Sequence, residues 1–239
     1  RKSDLKSMRN LNLDQLQNAI AAVDSEGNRY FAASPAEGDV GVGATAGGAN
    51  SIAAGELADA SAEDTVAVGA NSSASGIRST AVGQGASASD EEAAAFGQAA
   101  DASGFHSTAI GALAVSSGRG ATAIGWDSEA SGALSTAVGN QAAATGENST
   151  ALGRQAAASG LNSTAVGQTA VASADNSVAL GQGAVADRAN TVSVGAAGSE
   201  RQIVNVAEGT EDTDAVNLAQ LRRISDSAGE SLNTGLQSV

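Results

Sequence analysis

The chain has 239 residues, 26 acidic and 12 basic side chains and a formal charge of −14, so it cannot neutralise phosphates over a broad surface and nucleic acid is excluded as a partner. It has no cysteine, which removes disulfides, thiolate metal sites and cysteine nucleophiles. Its 42% hydrophobic content holds only 2% aromatic residues and is mostly Ala and Val; each Ala buries little area at roughly 25 cal/mol per Å², while ordering a residue costs about 1–2 kcal/mol, so a compact core is excluded and stability must come from repetition, backbone hydrogen bonds and association.

The chain opens on Arg1, Lys2, Lys6 and Arg9, which read as a solvated end rather than a binding arm. No signal-type apolar stretch follows, no run is long enough to span a membrane, and the whole is expected to be a piece of a longer chain. Leu16, Ala19, Ile20 and Val23 share one face of a short predicted helix, a strand is expected around Tyr30 and Phe31, and Pro35 breaks the pattern. Residues 1–49 are therefore expected to form an N-terminal cap or preceding subdomain, partly helical.

From there a glycine recurs every fourteen residues without an insertion, at Gly55, Gly69, Gly83, Gly97, Gly111, Gly125, Gly139, Gly153, Gly167, Gly181 and Gly195. Gly41 is a poorer twelfth beat. The residue before each of the eleven is apolar, as in Val68, Phe96, Ile110, Ile124, Leu152 and Leu180, and the one before that is Ala except at Ser193. A second glycine often falls at the half period, as at Gly76, Gly104, Gly118, Gly132, Gly146 and Gly160. Flexible linkers keep no such register.

Within a unit such as Ser107-Thr108-Ala109-Ile110 the alternation has period two, with Ser and Ala on one face and Thr and Ile on the other. Two short strands per unit, joined by glycine-assisted corners, make one coil of a parallel β-roll over residues 50–198. The recurring Gly and β-branched residues oppose a heptad coiled coil, a hexapeptide β-helix has the wrong period, and a calcium-binding nonapeptide array needs a fixed Asp register that Asp59, Asp101 and Glu129 do not keep. Strands about 4.8 Å apart stack the eleven beats into a rod of roughly 50 Å. The Ala face is expected inside the roll, and the Val/Ile face is expected to need another copy of the chain to cover it.

After Gly195 the repeat stops, and residues 199–221 stand where a sheet end needs a cap. Thr213 or Asp214 is the expected helix cap; Leu218, Leu221, Ser225, Ala228, Leu232, Gly235 and Val239 then follow three-four spacing as a weak coiled-coil seam, with residues 222–239 the start of a stalk.

Asn148-Ser-Thr-Ala-Leu-Gly153 and Asn162-Ser-Thr-Ala-Val-Gly167 resemble the YadA-like head repeat of the trimeric autotransporter adhesins. Arg201-Gln-Ile-Val-Asn-Val206, Gly209 and Thr213-Asp-Ala-Val-Asn-Leu-Ala-Gln-Leu221 resemble that family's neck motif, in which Arg201, Ile203, Asn205, Val206, Gly209, Thr213, Asp214, Ala215, Val216, Asn217, Gln220 and Leu221 would be the neck residues. The resemblance implies a left-handed parallel β-roll with 14-residue coils, a homotrimer, a neck and the start of a trimeric α-helical coiled coil. It also implies display on the cell surface, anchored in a Gram-negative outer membrane by a C-terminal region that this chain lacks. The implied function is adhesion to host extracellular-matrix or cell-surface proteins, or to identical heads on other cells; a passive spacer and an ice-binding β-solenoid remain as alternatives.

No catalytic, cofactor or metal residue is expected. His106, the single histidine, falls in a corner register otherwise held by Asn148, Asn162, Asn176 and Asn190, and no orienting partner singles out one of the many hydroxyls as a nucleophile. Those asparagines read as a stacked amide ladder. Gly47-Gly48 lacks the G-K-[ST] of a phosphate loop. The Thr register at Thr80, Thr108, Thr122, Thr136, Thr150 and Thr164 would suit ice only if that face were exposed. Ligand contacts are expected at corner residues that the repeat does not dictate: Arg78, His106, Arg119, Trp126, Glu129 and Arg154. Trp126 is either an exposed interface anchor or packed locally.

Overall fold

The computed structural model describes residues 43–237, so the expected helix at Leu16–Val23, the strand near Tyr30, the break at Pro35 and the beat at Gly41 lie outside the described residues. The contacts divide the chain into two units, one ending at Ala196 and the other beginning at Ala197.

The first unit is a parallel β-solenoid of two eleven-stranded sheets. Strands β1 (Thr45–Ala46) to β22 (Val192–Ser193) alternate between the sheets: odd-numbered strands have two residues, and even-numbered ones before β22 have three. Each strand pairs in parallel with the one two places on, always fourteen residues away. Thr108, Ala109 and Ile110 of β10 (Thr108–Ile110) thus lie opposite Thr122, Ala123 and Ile124 of β12 (Thr122–Ile124). Pairing starts at Thr45 opposite Asp59, ahead of the boundary at residue 50.

The interior is built almost wholly from Ala and Ser. Ala95, Ala109, Ala123 and Ala137 of the even sheet and Ala88, Ala102, Ala130 and Ala144 of the odd sheet are fully buried. Ser107, Ser135, Ser149 and Ser163 join them from the strand entries. Small side chains let the two sheets approach closely, so each coil contributes little apolar area and the backbone ladder carries the order. That ladder continues through the corners: at one of them Gly97 donates to the carbonyl of Val82 at 2.8 Å and Ala99 to that of Gln84 at 2.8 Å.

The glycines are needed for two different reasons. Gly139 sits at φ 138°, where an L side chain is disfavoured, and an added Cβ would stand 2.5 Å from the carbonyl oxygen of Gly153 in the next coil. Gly132, at the half period, has no positive φ; there a Cβ would meet the oxygen of Gly146 at 2.0 Å, so close stacking alone demands glycine. The freedom expected of both sets belongs only to the first. The left-handed corner positions are mostly held by other residues, spaced by seven: Asn71, Arg78, Glu92, His106, Leu113, Asp127, Leu134, Gln141 and Asn148 all lie near φ +55°. Asn and Asp tolerate this region, whereas Leu or Thr there is strained.

The second unit is irregular until α1 (Leu218–Gln237). The expected cap at Thr213 or Asp214 is corrected to Asn217. Its Oδ1 accepts from the Gln220 amide at 3.0 Å, while Gln220 Oε1 accepts from the Asn217 amide at 3.3 Å. This reciprocal pair satisfies two helix-end donors in the manner of a capping box. Asp214 instead holds the preceding turn: its Oδ2 accepts from the amides of Thr210 at 3.0 Å and Glu211 at 3.1 Å.

Candidate functional site

The outer face of the even sheet carries the apolar ridge. Burying Ala109 forces Thr108 and Ile110 outward, and fourteen-residue pairing lines each such residue up with its equivalents. Ile110 is 40% exposed and Leu152 46% exposed, with Val68, Phe96, Ile124 and Leu180 also exposed in the same column. A contiguous row of this kind marks an interaction face. The Thr register lies on that same face, so whatever covers the Val/Ile row also covers the threonines.

The six candidate contact residues fall in three places. Arg78 and His106 occupy the left-handed position of the half-period corner, and Arg119 precedes the equivalent position, Gly120, in the coil after His106. Trp126 and Arg154 follow the glycines of the other corner, Trp126 being 47% exposed. Glu129 lies on the outer face of the odd sheet, in β13 (Glu129–Ala130).

The first three are linked through residues that the sequence reading did not single out. Glu92 stands between Arg78 and His106 in the stack: its Oε1 lies 2.9 Å from Arg78 Nε and its Oε2 3.1 Å from His106 Nε2. Arg78 also pairs with Glu91. The hydrogen bond to Glu92 raises the Arg78 pKa above its ordinary value. Phe105 stacks on His106 with ring centroids 3.8 Å apart, and Arg119 lies 5.5 Å from the Phe105 centroid. The signal was available as register, because Arg78, Glu92 and His106 are fourteen apart, as are Phe105 and Arg119. Arg78, Glu92, His106 and Arg119 are exposed and Phe105 is half-buried, and these contacts order a corner.

Part of the expected amide ladder is present. Asn162 Nδ2 donates to Asn176 Oδ1 at 3.0 Å. The other corner has its own ladder, in which Gln155 donates to Gln141 and Gln141 to Asp127, both at 3.2 Å. Arg154 spends one guanidinium donor on Gln155 Oε1 at 3.1 Å. Among the described residues no group of three or more His, Asp or Glu is gathered in a way that could hold a metal ion.

Within the second unit several of the residues expected to form the neck converge on the helix start. Gln220 pairs with both backbone groups of Gly209, accepting from its N–H and donating to its carbonyl, each at 3.0 Å. Asn217 Nδ2 donates to the Val206 carbonyl at 3.1 Å, and Arg223 pairs with Glu208 at 2.8 Å. Gly198 donates to Glu200 at 2.8 Å, and this bond holds the Glu200 carboxyl below its usual pKa. Ile203, Asn205, Val206, Ala215, Val216 and Leu218 line an open cavity of about 440 Å³. Of these, Ile203, Val216 and Leu218 are well exposed, as is Leu221.

Repeated coils with an outward apolar row, followed by a separately held helix start, define a solenoid that presents surfaces along its length rather than a pocket. Six stretches, at 46–72, 74–100, 102–128, 130–156, 158–184 and 173–197, match the YadA head domain repeat, and residues 202–239 match the coiled stalk of trimeric autotransporter adhesins. The chain belongs to the YadA-like trimeric autotransporter adhesins. The collagen-binding domain of the Yersinia adhesin YadA is a solved relative, 31% identical over 75% of this chain and 84% of that one, with a TM-score of 0.43. Among curated proteins nothing matches.

Proposed function

We propose that this chain is the head and stalk beginning of a surface-displayed homotrimer that binds host extracellular-matrix or cell-surface proteins through avidity and performs no catalysis. The carrying observation is the exposed ridge through Val68, Phe96, Ile110, Ile124, Leu152 and Leu180. Burying it against two further copies would place the variable corners on the outside, each presented three times. Contacts that are weak singly then combine, raising effective affinity by roughly 10²–10⁴. Anchoring in a Gram-negative outer membrane is part of the same reading and rests on the family. No described helix is long and apolar enough to cross a membrane.

The solved relative is a collagen-binding domain, which makes collagen the first matrix protein to test. Sedimentation equilibrium is expected to give a trimer, and solid-phase assays are expected to give saturable binding to collagen, laminin or host cells. Ile124→Asp with Val138→Asp would bring six carboxylates toward one axis and split the trimer. Equal binding by trimer and monomer would contradict the avidity mechanism, and no binding to any partner would leave a spacer as the better account. Thermal hysteresis in the intact trimer would favour the ice-binding alternative.

A further inference from the structure

The odd sheet carries a feature that the apolar ridge and the paired corner cluster do not absorb. Across three successive corners and the adjoining strand faces lies an open groove of about 440 Å³. Leu113 and Val115 form one wall, Asp127 and Glu129 come from the next coil, and Gln141 and Ala143 from the one after. The juxtaposition follows from register: β11 (Val115–Ser116) pairs with β13 so that Val115 lies opposite Glu129, and β15 (Ala143–Ala144) puts Ala143 on its other side.

Both carboxylates are exposed and lack a cation. Asp127 accepts from Gln141 at 3.2 Å, and Glu129 accepts from the Ser131 hydroxyl at 2.8 Å. Arg78 pairs with Glu91 and Glu92, His106 with Glu92, and Arg223 with Glu208, and none of these pairs reaches this groove. In the coils before it the same two columns hold Leu57 with Asp59, Asn71 with Ser73, Gly85 with Ser87 and Ala99 with Asp101. Asp101 thus flanks Val115 on its other side, and among these coils only the one holding Asp127 and Glu129 carries an acid in both columns. The apolar step beside two unneutralised carboxylates occurs in a chain of formal charge −14.

We propose that this groove takes an arginine or lysine side chain from an extended segment of a partner protein, its aliphatic stem on Leu113 and Val115 and its charged end between Asp127 and Glu129. Long basic side chains cover apolar surface with their methylenes while the cation stays at the polar rim. The site is large enough for one or two such side chains, and the charge pattern selects against acidic segments. The inference rests on the adhesin reading for its supply of a protein partner, and it goes further by naming the chemistry that is read. The groove lies on the sheet that does not carry the Val/Ile ridge, so assembly along that ridge leaves it open.

The test uses the whole chain in its native oligomeric state and the peptide acetyl-Ala-Arg-Ala-Arg-Ala-amide, with citrulline-for-arginine and glutamate-for-arginine counterparts. Trp126, the single tryptophan and the residue before Asp127, reports binding by fluorescence. The arginine peptide is expected to give a saturable change that weakens with added salt, while the two counterparts give none. Asp127→Asn with Glu129→Gln is expected to weaken binding about tenfold. Glu56→Gln with Asp59→Asn, the same charge change elsewhere on the head, should leave binding unaltered, and circular dichroism should be the same for all three proteins. Equal binding by the groove variant and the parent would overturn the proposal, since the attraction would then be to net charge alone. So would an absent response in the assembled protein, which would mark the groove as covered by another copy. Matrix binding by the parent in either of those cases leaves the adhesin reading standing. Peptide binding that requires Asp127 and Glu129, in a protein that binds no matrix protein or cell, would uphold the groove and remove that reading.

Discussion

The head and the segment expected from the sequence to be the neck solve the same problem, ordering a chain poor in large apolar side chains, by opposite means. In the head nearly every corner and strand is tied by backbone bonds to the coils before and after it, and the interior is Ala and Ser. In the neck a few side-chain amides do the tying: Asn217 and Gln220 between them reach Val206, Gly209 and each other. The head therefore tolerates changes in its outward side chains but not in the space between coils, while the neck depends on the identity of two residues.

The largest expected effect tests the first half of that contrast. Gly139→Val adds a side chain where φ is 138° and the next coil's carbonyl oxygen is 2.5 Å from the added Cβ. The next coil's backbone must move, at a cost of about 3 kcal/mol or more, which should unfold or split the solenoid. Gly85→Asn is the matched control: Gly85 has φ 66° and open space around an added Cβ. Thermal unfolding should separate the two variants widely, and similar melting would mean that spacing between coils is not what the fold guards.

The second prediction breaks the neck and spares the head. Asn217→Ala or Gln220→Ala removes the reciprocal cap and one of the ties to Val206 or Gly209, for a loss of about 1–2 kcal/mol each. Helical signal at 222 nm should fall while the head's β signal stays. A Thr213→Ala change, at the position expected to cap from sequence, should leave the helix start intact.

Proton uptake gives a smaller test of the same region. Hydrogen bonds from the Thr210 and Glu211 amides lower the Asp214 pKa below its ordinary 3.8. A depressed folded-state pKa means stability that is present above the unfolded value and lost as pH falls through the folded one. Protection of the Thr210 and Glu211 amides, relative to their intrinsic exchange rates, should thus hold at neutral pH and fall only below about pH 4. In Asp214→Asn that pH dependence should disappear; if it persists, another carboxylate holds the turn.

The solenoid was legible in the sequence because its period is rigid: a glycine every fourteen residues sets coil length, and the alternation in Ser-Thr-Ala-Ile separates two faces, of which the structure buries the Ala face as expected. The corner cluster was less legible. Arg78, His106 and Arg119 were visible as departures from the repeat, but Glu92 and Phe105 gain meaning only when the chain is folded into coils that put residues fourteen apart side by side. The helix cap was misplaced for a different reason. Thr, Asp and Asn all cap, and the choice of Asn217 over Thr213 depends on Gln220 three residues later and on a free backbone at Gly209, a contact between residues eleven apart that no local pattern announces.

The smallest expected effect sharpens the comparison by improving the head through a side chain. Thr169 stands at φ 53° in the corner column that holds Gln141 and Gln155, a conformation poorly suited to a β-branched residue. Its hydroxyl makes only a local bond, to the Gln168 carbonyl at 2.7 Å. The ladder in that column runs from Gln155 to Gln141 to Asp127 and stops short of Thr169. Asn accepts the left-handed region readily, and its amide would reach toward Gln155 Oε1 and extend the ladder by one step. Thr169→Asn is expected to stabilise the head by about 0.5–1 kcal/mol, a rise in Tm of a few degrees. Calorimetry of the trimer reads this directly. A Tm that falls would mean that the hydroxyl contact outweighs backbone strain, and the head would then depend on corner side chains more as the neck does.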